Sequence, residues 1–365
     1  MEGKRDLLEQ KLDELKGEYS KTRYNKATNK HLGILRRKIA EVKKEMLETG
    51  TGRAGSGFFV RKSGDATVAL VGFPSTGKST MINALTGTRS KTAAHAFTTL
   101  EILPGTLVYK GAHVQVFDMP GIIEGAHIGV GGGRSVIAAL RNVDLIVFVI
   151  DATDYGKLGV LIDELKRLNI FVNRAMPEIR IEKASTGIGI VIDKNASYMS
   201  ENDVKAILRG FGIYSAHVQI GSDIDVDELI ALVSGRARYL KAIAALNKID
   251  MVDDYMAITE KISRTYGMYV VPVSAMNGTN IEELKEAIYT GVELITVYLK
   301  PKGGTAEPLI LHAGATIGDA AAKVHTELKN QLKCAYVSGP SAKFSGQKVG
   351  AGHLLKNGDM ITFMK

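Results

Sequence analysis

The sequence predicts an α/β protein built around a doubly wound, mostly parallel β-sheet, and three observations carry this prediction. Short apolar segments that end in Gly, Asp or Asn alternate with amphipathic helical patterns. One of them, LIVFVIDA at 145–152, is a continuous apolar run, as is typical of a strand buried on both faces of a parallel sheet. A glycine-rich motif directly follows the first of these strands. Together they predict the alternation of strand and helix found in doubly wound domains.

The predicted strands of this main domain, which we assign to residues 61–170 and 239–296, are TVALVG (67–72), HVQVFD (113–118), LIVFVIDA (145–152), AIAALNKID (242–250) and YVVPVSA (269–275). Residues 171–238 fit the alternation less well. They contain a strand-like segment, IRIEKASTGIGIVIDK, and a helix whose start carries a Ser200/Asp203 capping box, then a second strand and a second helix. We therefore predict a small α+β domain inserted at 171–238.

The two ends of the chain predict further modules. Residues 1–60 are predicted to form a basic helical hairpin, because apolar residues recur every three or four positions in two series: Leu8, Leu12, Leu15, Tyr19 and then Leu32, Leu35, Ile39, Val42, Met46. A Gly-rich linker follows at 50–57. Residues 297–365 predict a β-grasp module, with one helix over TIGDAAAKVHTEL whose start is marked by Thr316 and Asp319.

Composition excludes several classes of protein. The hydrophobic fraction of 45% is too high for global disorder. Apolar stretches of about 18 residues, as a membrane span needs, are missing, and the N-terminus is too charged for a signal peptide. The single cysteine, Cys334, has no partner for an internal disulfide and is expected to be a small buried residue. These features predict a cytoplasmic protein without a membrane partner.

The net charge of +8 is concentrated at the ends of the chain. Residues 1–64 hold 16 Lys/Arg against 9 Asp/Glu, and residues 297–365 hold 9 against 4. This distribution favours contact with RNA, and no DNA is expected. The alternative is that the lysines only keep the protein soluble.

The glycine-rich motif has the form G-x-x-x-x-G-K-[ST] and lies between a predicted strand and a predicted helix. Its backbone N–H groups are expected to surround phosphates, with Lys78 neutralising the β- and γ-phosphates and the Ser79 hydroxyl coordinating Mg²⁺. The candidate residues are Gly72, Phe73, Pro74, Ser75, Thr76, Gly77, Lys78, Ser79 and the following Thr80.

Two further segments are candidates for contacts to Mg²⁺ and the γ-phosphate. Asp118 begins a D-x-x-G motif at a strand end, where its carboxylate can reach Mg²⁺ through a water and the Gly121 amide can sense the γ-phosphate. Between the two motifs lies AFTTL, whose threonine can give its hydroxyl to Mg²⁺ and its amide to the γ-phosphate. We favour Thr99 for this role, with Thr98 the alternative. The competing interpretation is that the two threonines are an exposed pair at the start of a strand and bind nothing.

Base recognition is predicted in the segment N-K-I-D. The Asp250 carboxylate can accept hydrogen bonds from guanine N1–H and its exocyclic amino group, which adenine does not offer in that place. Asn247 would brace the base and the loop, and the Lys248 stem would cover an aromatic face. Ser274 and Ala275 close the next strand, where the Ala275 amide would meet the guanine carbonyl.

These residues together resemble the developmentally regulated GTP-binding protein (DRG) family, in the Obg-related branch of translation-factor GTPases. The resemblance covers nearly the whole chain and rests on GFPSTGKST, AFTTLEILPG, FDMPGIIEGAHIGVGGGR, LNKID, EPLILHAGATIGDAAAKVH and SAKFSGQKVGAGH. It implies a P-loop GTPase domain with a basic N-terminal hairpin, a small inserted domain and a C-terminal TGS (β-grasp) domain. It also implies GTP and GDP as ligands, Mg²⁺, cytosolic work on ribosomes or translation, and RNA contact through the accessory domains.

The sequence departs from related enzymes at two positions. Ile122 follows the D-x-x-G motif where Ras-like enzymes place a water-orienting Gln, so slow intrinsic turnover and stimulation by a ribosome or protein partner are expected. Ser75 stands where potassium-activated relatives often carry Asn, which leaves K⁺ dependence open. In the following Gly-rich loop, His127, Arg134 and Glu124 are read as loop-stabilising or solvated residues rather than catalytic groups.

Two hypotheses follow. In the first, the protein is an enzyme that binds and hydrolyses GTP, with catalytic Lys78, Thr99 and Gly121, and uses it to gate ribosome attachment. In the second, it is an RNA- or ribosome-binding scaffold for which guanine nucleotide is a structural cofactor. Ile122 favours the scaffold, whereas the Thr-bearing and Gly-rich loops favour the switch. The hairpin could bind protein or RNA.

Overall fold

The computed structural model describes residues 2–22, 29–49, 64–87, 104–119, 133–184, 187, 189–194, 199–300 and 304–364. It divides into two compact units. The first unit comprises Met1–Phe59, Gly121–Arg141 and Ile162–Leu240, and the second Val60–Pro120, Asn142–Leu161 and Lys241–Lys365. Within the described ranges, every helix is too short or too polar to cross a membrane.

The helices are α1 (Glu2–Lys21), α2 (Asn29–Thr49), α3 (Lys78–Thr86), α4 (Gly133–Leu140), α5 (Leu158–Arg167), α6 (Glu201–Gly210), α7 (Val226–Val233), α8 (Tyr255–Tyr266), α9 (Ile281–Gly291), α10 (Ile317–Val324) and α11 (Thr326–Gln331). The strands are β1 (Ala66–Val71), β2 (Pro104–Tyr109), β3 (Ala112–Asp118), β4 (Leu145–Asp151), β5 (Ile170–Val172), β6 (Ile179–Lys183), β7 (Ile190–Lys194), β8 (Ala216–Ile220), β9 (Arg238–Asn247), β10 (Val270–Pro272), β11 (Leu294–Leu299), β12 (Glu307–His312), β13 (Cys334–Ser338), β14 (Gln347–Val349) and β15 (Met360–Met364).

The second unit contains the predicted doubly wound sheet, in the strand order β10-β9-β4-β1-β3-β2. Its neighbouring strands run parallel except for β2, which pairs antiparallel with β3 at the edge. All six residues of β1 are buried, as the apolar run predicts for a central parallel strand. The register sets Leu70 opposite Asp118 and Asp151 opposite Asn247, so the carboxyl ends of four strands meet at one edge. The α/β prediction is confirmed.

The C-terminal module in the same unit is a five-stranded sheet in the order β12-β11-β15-β13-β14. Helix α10 packs on one face, where Ile317 and Ala320 join Val297, Val337 and Ile361 in a buried core. Thr316 and Asp319 form the predicted capping box. The single predicted helix over TIGDAAAKVHTEL is wrong, because His325 has an extended backbone that separates α10 from α11. The His325 ring accepts a hydrogen bond from the Glu327 N–H (3.3 Å) and so caps the second helix.

In the first unit, the N-terminal hairpin packs on the predicted insertion, a contact that the sequence does not reveal. Strands β6, β8 and β7 form a three-stranded sheet, and α2 lies against α6. Leu35 and Ile39 share one buried core with Val204 and Ile207. A Cβ at Gly210 would lie 2.8 Å from the Ala40 side chain, so glycine allows the close approach of the two helices.

A buried ion pair joins the same two helices. Arg36 (7% exposed) pairs with Asp203 (3% exposed), and two of its nitrogens donate to the Tyr19 hydroxyl at 3.0 and 2.6 Å. Asp203 also closes the predicted capping box with Ser200 at the start of α6. Its carboxylate therefore serves both the helix start and the packing of the hairpin.

Candidate nucleotide-binding site

The glycine-rich loop between β1 and α3 has the backbone of an anion-binding nest. Ser75 and Gly77 both have positive φ, 63° and 92°, which turns successive N–H groups inward. A Cβ at Gly72 would lie 2.4 Å from the Val149 carbonyl oxygen, and one at Gly77 would lie 2.4 Å from Asn247 Nδ2. Both motif glycines are thus required by close approach of other parts of the site.

Side chains of the loop fold back onto its own carbonyls. The Lys78 ammonium donates to the carbonyl oxygens of Gly72 and Phe73, both at 3.0 Å. The buried Thr76 hydroxyl also donates to Phe73 O, at 3.0 Å. Pro74, Ser75 and Thr80 are exposed. The ammonium therefore lies over the loop, where a phosphate could replace the two carbonyls as its partner.

Ser79 and Asp118 form a pair whose chemistry fits a magnesium ion. The Ser79 hydroxyl donates to Asp118 Oδ2 at 3.2 Å. Asp118 Oδ1 is buried and has no hydrogen-bond partner among the described residues. Burial raises the pKa of Asp118, and the Lys78 charge and the Ser79 hydrogen bond only partly offset it. A carboxylate and a hydroxyl are hard oxygen ligands, and Mg²⁺ is usually held by one or two carboxylates together with substrate phosphates and waters.

Within the described residues, no group of three or more His, Cys, Asp or Glu could hold a metal ion by itself. A cation beside Asp118 would therefore take further ligands of another kind, such as hydroxyls, waters or the phosphate oxygens of a bound nucleotide. This agrees with the phosphate-loop position of Ser79.

Asn247 connects the phosphate loop to the opposite end of the site. Its Nδ2 donates to Thr76 O at 2.9 Å, and its Oδ1 accepts from the Ala275 N–H at 3.0 Å. The side chain is buried (3% exposed), so both of its polar ends are satisfied by backbone groups. The Ala275 amide, expected to face a guanine carbonyl, is already engaged with Asn247, and a base carbonyl would have to share it.

Lys248 and Asp250 follow on the same loop. Lys248 has a left-handed backbone (φ 64°), and Asp250 lies exposed in the short 3-10 turn Ile249–Met251. Ser274 is buried at the end of the next strand. The Lys248 ammonium donates to Asp151 Oδ2 at 2.6 Å. The five residues expected to recognise the base, Asn247, Lys248, Asp250, Ser274 and Ala275, thus come from the loops that follow two neighbouring strands.

Asp151 and Lys157 were missed by the sequence reasoning. Asp151 ends β4 and accepts hydrogen bonds from Thr153 N (2.9 Å) and Oγ1 (2.7 Å) as well as from Lys248. Burial alone would raise its pKa, but the hydrogen bonds from Lys248 and Thr153 outweigh it and lower the pKa. The Lys157 ammonium lies 5.3 Å from the centroid of the Phe73 ring. For Asp151, the available sequence signal was a carboxylate at the end of the predicted strand LIVFVIDA.

Other predicted site residues lie outside the described part of the chain. These are Thr98, Thr99, Gly121, Ile122, Glu124 and His127, and the side chain of Arg134. Their roles stay predictions.

Comparison with known proteins finds matches over three consecutive parts of the chain. A family model described as "50S ribosome-binding GTPase" matches residues 67–183, the C-terminal region of the same domain matches 185–294, and the TGS domain matches 295–365. The structure of the YchF GTPase of Schizosaccharomyces pombe has a TM-score of 0.52 at 15% identity, covering 83% of this chain and 99% of that one. At this identity the likeness shows the fold alone. The chain is a P-loop GTPase with a C-terminal TGS domain.

Full-length relatives define the family more narrowly. A GTP-binding protein of Methanocaldococcus jannaschii is 40% identical over 98% of this chain and 93% of its own length. Developmentally-regulated GTP-binding protein 1 of Xenopus laevis is 38% identical over 97% of this chain and 98% of its own. Developmentally-regulated G-protein 3 of Arabidopsis thaliana is 37% identical over 98% of each. The chain belongs to the developmentally-regulated GTP-binding protein family.

Proposed function

We propose that this GTPase is a cytoplasmic molecular switch whose nucleotide state controls its attachment to the ribosome. The observation that supports the nucleotide part is the Asn247 bridge, in which one side chain contacts both the glycine-rich loop at Thr76 and the loop of Ala275. The ribosome part is supported by the basic segments 1–64 and 297–365 and by the ribosome-binding description of the matched GTPase family. Both basic segments belong to accessory modules, which supports RNA contact through them.

At the phosphate end, the loop amides of residues 72–79 bind the phosphates, and the Lys78 ammonium exchanges its two loop carbonyls for phosphate oxygens. Ser79 and Asp118 are the residues that would hold Mg²⁺, which would supply positive charge to offset that of the phosphates. Asp118 Oδ1 is buried and has no hydrogen-bond partner among the residues that the structure describes, and it supports this role because a nearby cation would offset the cost of its burial. Thr99 (or Thr98) and Gly121 sense the γ-phosphate.

At the base end, Asp250 reads the N1–H and amino group of guanine. Asn247 keeps its loop fixed against Thr76 and Ala275. Lys248, held by Asp151, covers one face of the base with its aliphatic stem. Ser274 supports the loop that carries the Ala275 amide.

Hydrolysis is slow in the free protein, because Ile122 cannot orient the attacking water as Gln does in Ras-like enzymes. Another group, supplied by the ribosome or by a protein partner, positions that water. K⁺ is a second candidate activator, since it can add positive charge near the β- and γ-phosphates. Turnover measured in KCl and in NaCl decides its contribution.

The test is phosphate release by the full chain with and without ribosomes, together with ribosome co-sedimentation in GDP and in a non-hydrolysable GTP analogue. The switch predicts slow release alone, faster release with ribosomes, and attachment that differs between the two nucleotides. Unstimulated turnover already at tens per second would refute the slow-enzyme part. Tight nucleotide binding with no release in either condition, and attachment that is the same in both nucleotides, would support the scaffold, which Ile122 favours.

A further inference from the structure

The C-terminal sheet has one face covered by α10, and the opposite face is exposed at Tyr298 and Tyr336 but buried at Leu294 and Ile310, which belong to the core of the main domain. Along β13, Ala335 and Val337 point into the core beneath α10, so the alternate residue Tyr336 points to the opposite side. The register places Lys348 and Thr362 beside Tyr336, and Met360 beside Tyr298. We call this surface the outer face, and define it by Tyr298, Lys300, Tyr336, Lys348, Met360 and Thr362.

Two tyrosines dominate the outer face. Tyr298 is 40% exposed and Tyr336 is 39% exposed, and neither hydroxyl makes a hydrogen bond within the described part of the chain. They lie on β11 and β13, on either side of β15. Strand spacing and the two-residue offset in register separate their Cα atoms by about 12 Å. Two aromatic rings on one open sheet surface form a stacking platform of the kind that binds two or three bases in single-strand RNA-binding modules.

The charge of the outer face is positive. Lys300 and Lys348 are both exposed, and neither forms an ion pair with another described residue. Carboxylates do not occur at the described outward positions of β11, β13, β14 and β15. Asp359, which precedes β15, is fully buried and accepts N–H bonds from Ser341 and Lys356. The face therefore offers cations and aromatic rings without an internal anion.

The three-stranded sheet of the first unit provides a contrast. Its open face also carries charges, but they pair with one another, Arg180 with Glu182 at 2.7 Å and His217 with Asp193 at 2.9 Å. Such a face has no excess positive charge to attract a polyanion. The combination of exposed rings and unpaired lysines distinguishes the outer face of the C-terminal sheet from this one.

We propose that the outer face binds single-stranded RNA, with bases stacked on Tyr298 and Tyr336 and phosphates paired with Lys300 and Lys348. The inference rests on the RNA association in the proposed function, and adds the location and the kind of RNA. Stacking on an aromatic ring does not depend on which base is present. The expected preference is therefore for single strands over duplexes, with little dependence on sequence.

The experiment measures binding of the full chain to fluorescently labelled single-stranded oligonucleotides, oligo(U) and oligo(A), by fluorescence anisotropy over a range of salt concentrations. Tyr298→Ala and Tyr336→Ala are each expected to weaken binding by about 5- to 100-fold, the usual cost of losing one base stack. Tyr298→Phe and Tyr336→Phe should retain binding, because the ring and not the hydroxyl makes the contact. Lys300→Gln and Lys348→Gln should each reduce the salt slope by about 0.7, the value for one phosphate contact to a single strand.

Arg180→Gln is the matched control, because it removes one exposed cation from an open sheet face elsewhere and should leave binding and slope unchanged. GTP-analogue affinity and the unfolding midpoint of each variant exclude misfolding as a cause of lost RNA binding. Unchanged RNA affinity in both Tyr→Ala variants, or equal affinity for duplex and single-stranded RNA, would overturn the inference. If the Tyr→Ala variants lose RNA binding but still attach to the ribosome in a nucleotide-dependent way, the proposed function is supported and does not require this site. If RNA binds through the tyrosines but ribosome attachment does not depend on the nucleotide, this site is supported and the switch is not.

Discussion

Replacement of Asp250 by Asn tests base recognition with little disturbance of the fold. Asp250 is exposed in the turn Ile249–Met251, so the change from carboxylate to amide breaks no buried contact in the structure. The backbone that presents it is fixed by other groups, since the Met251 N–H donates to Lys248 O at 3.0 Å and the Ile249 N–H to Val273 O at 3.3 Å. We therefore expect the free energy of unfolding to change by no more than about 0.5 kcal/mol.

The expected loss of GTP affinity follows from the two hydrogen bonds that we propose between the Asp250 carboxylate and guanine. Hydrogen bonds to a charged group contribute about 1.5–3 kcal/mol each, so the pair contributes about 3–6 kcal/mol. In the variant, the side-chain carbonyl can still accept one hydrogen bond from guanine, but as a neutral acceptor. The side-chain –NH₂ group then faces the exocyclic amino group of guanine, and two donors cannot form a hydrogen bond. The dissociation constant for GTP should rise about 10²- to 10⁴-fold, since every 1.4 kcal/mol is a factor of ten.

Isothermal titration with GTP, ATP and xanthosine triphosphate provides the assay. Xanthine has a carbonyl where guanine has its amino group, so the side-chain amide introduced by Asp250→Asn can donate to that carbonyl. The variant should therefore bind xanthosine triphosphate better than wild type does. ATP should bind weakly to both proteins. Unchanged GTP affinity in the Asp250→Asn variant, or wild-type affinity for ATP equal to that for GTP, would refute the assignment of this carboxylate to the base.

Three further outcomes follow from buried groups. Asn247→Ala removes the hydrogen-bond partners of the Thr76 carbonyl and the Ala275 N–H. Denaturant titration should therefore show a decrease of about 2–4 kcal/mol in the free energy of unfolding, and GTP should bind more weakly. Because the folded-state pKa of Asp118 is raised, its ionisation costs stability as pH rises past the unfolded value of 3.8 and through the folded pKa. Asp118→Asn should therefore stabilise the nucleotide-free protein at neutral pH, flatten its stability across that window, and lower Mg²⁺ affinity in the GTP complex about 10- to 100-fold. Arg36→Ala leaves a buried carboxylate unpaired and should cost about 3–5 kcal/mol in chemical denaturation, whereas a cost under about 1 kcal/mol would contradict the buried pair.

The sequence was sufficient for those features that depend on local pattern. Apolar and alternating segments predicted five strands of the main sheet, β1, β3, β4, β9 and β10, but not β2 and β5. The Ser200/Asp203 and Thr316/Asp319 signatures predicted two helix starts, because capping geometry is set by residues three apart. The phosphate loop and the N-K-I-D segment were found for the same reason, since each is contiguous. The break at His325 was missed because the apolar periodicity continues through it, while one side-chain cap decides where the second helix begins.

Features formed by distant residues were not predictable in this way. The packing of α2 on α6 depends on residues about 170 positions apart, and neither helix pattern names its partner. Asp151 ends a predicted strand, but its two site contacts follow from the register, which places it opposite Asn247, and from its hydrogen bond with the Lys248 ammonium. Apolar periodicity specifies which face of an element is buried, but not against which element it is buried.

In the proposed function, the Asn247 side chain couples recognition of the base to recognition of the phosphates. One amide group holds Thr76 O in the phosphate loop and the Ala275 N–H in the base loop, and the Gly77 backbone approaches it so closely that any side chain at that position would collide with it. A shift of either loop must therefore break a buried hydrogen bond or move the other loop. Binding of the base consequently favours the phosphate-loop conformation that binds phosphates, and the reverse also holds, since coupling between two parts of one site is reciprocal. On this basis, guanosine alone and inorganic phosphate alone should each bind much more weakly than the intact nucleotide. The difference in binding free energy should exceed the entropic cost of binding two separate ligands in place of one.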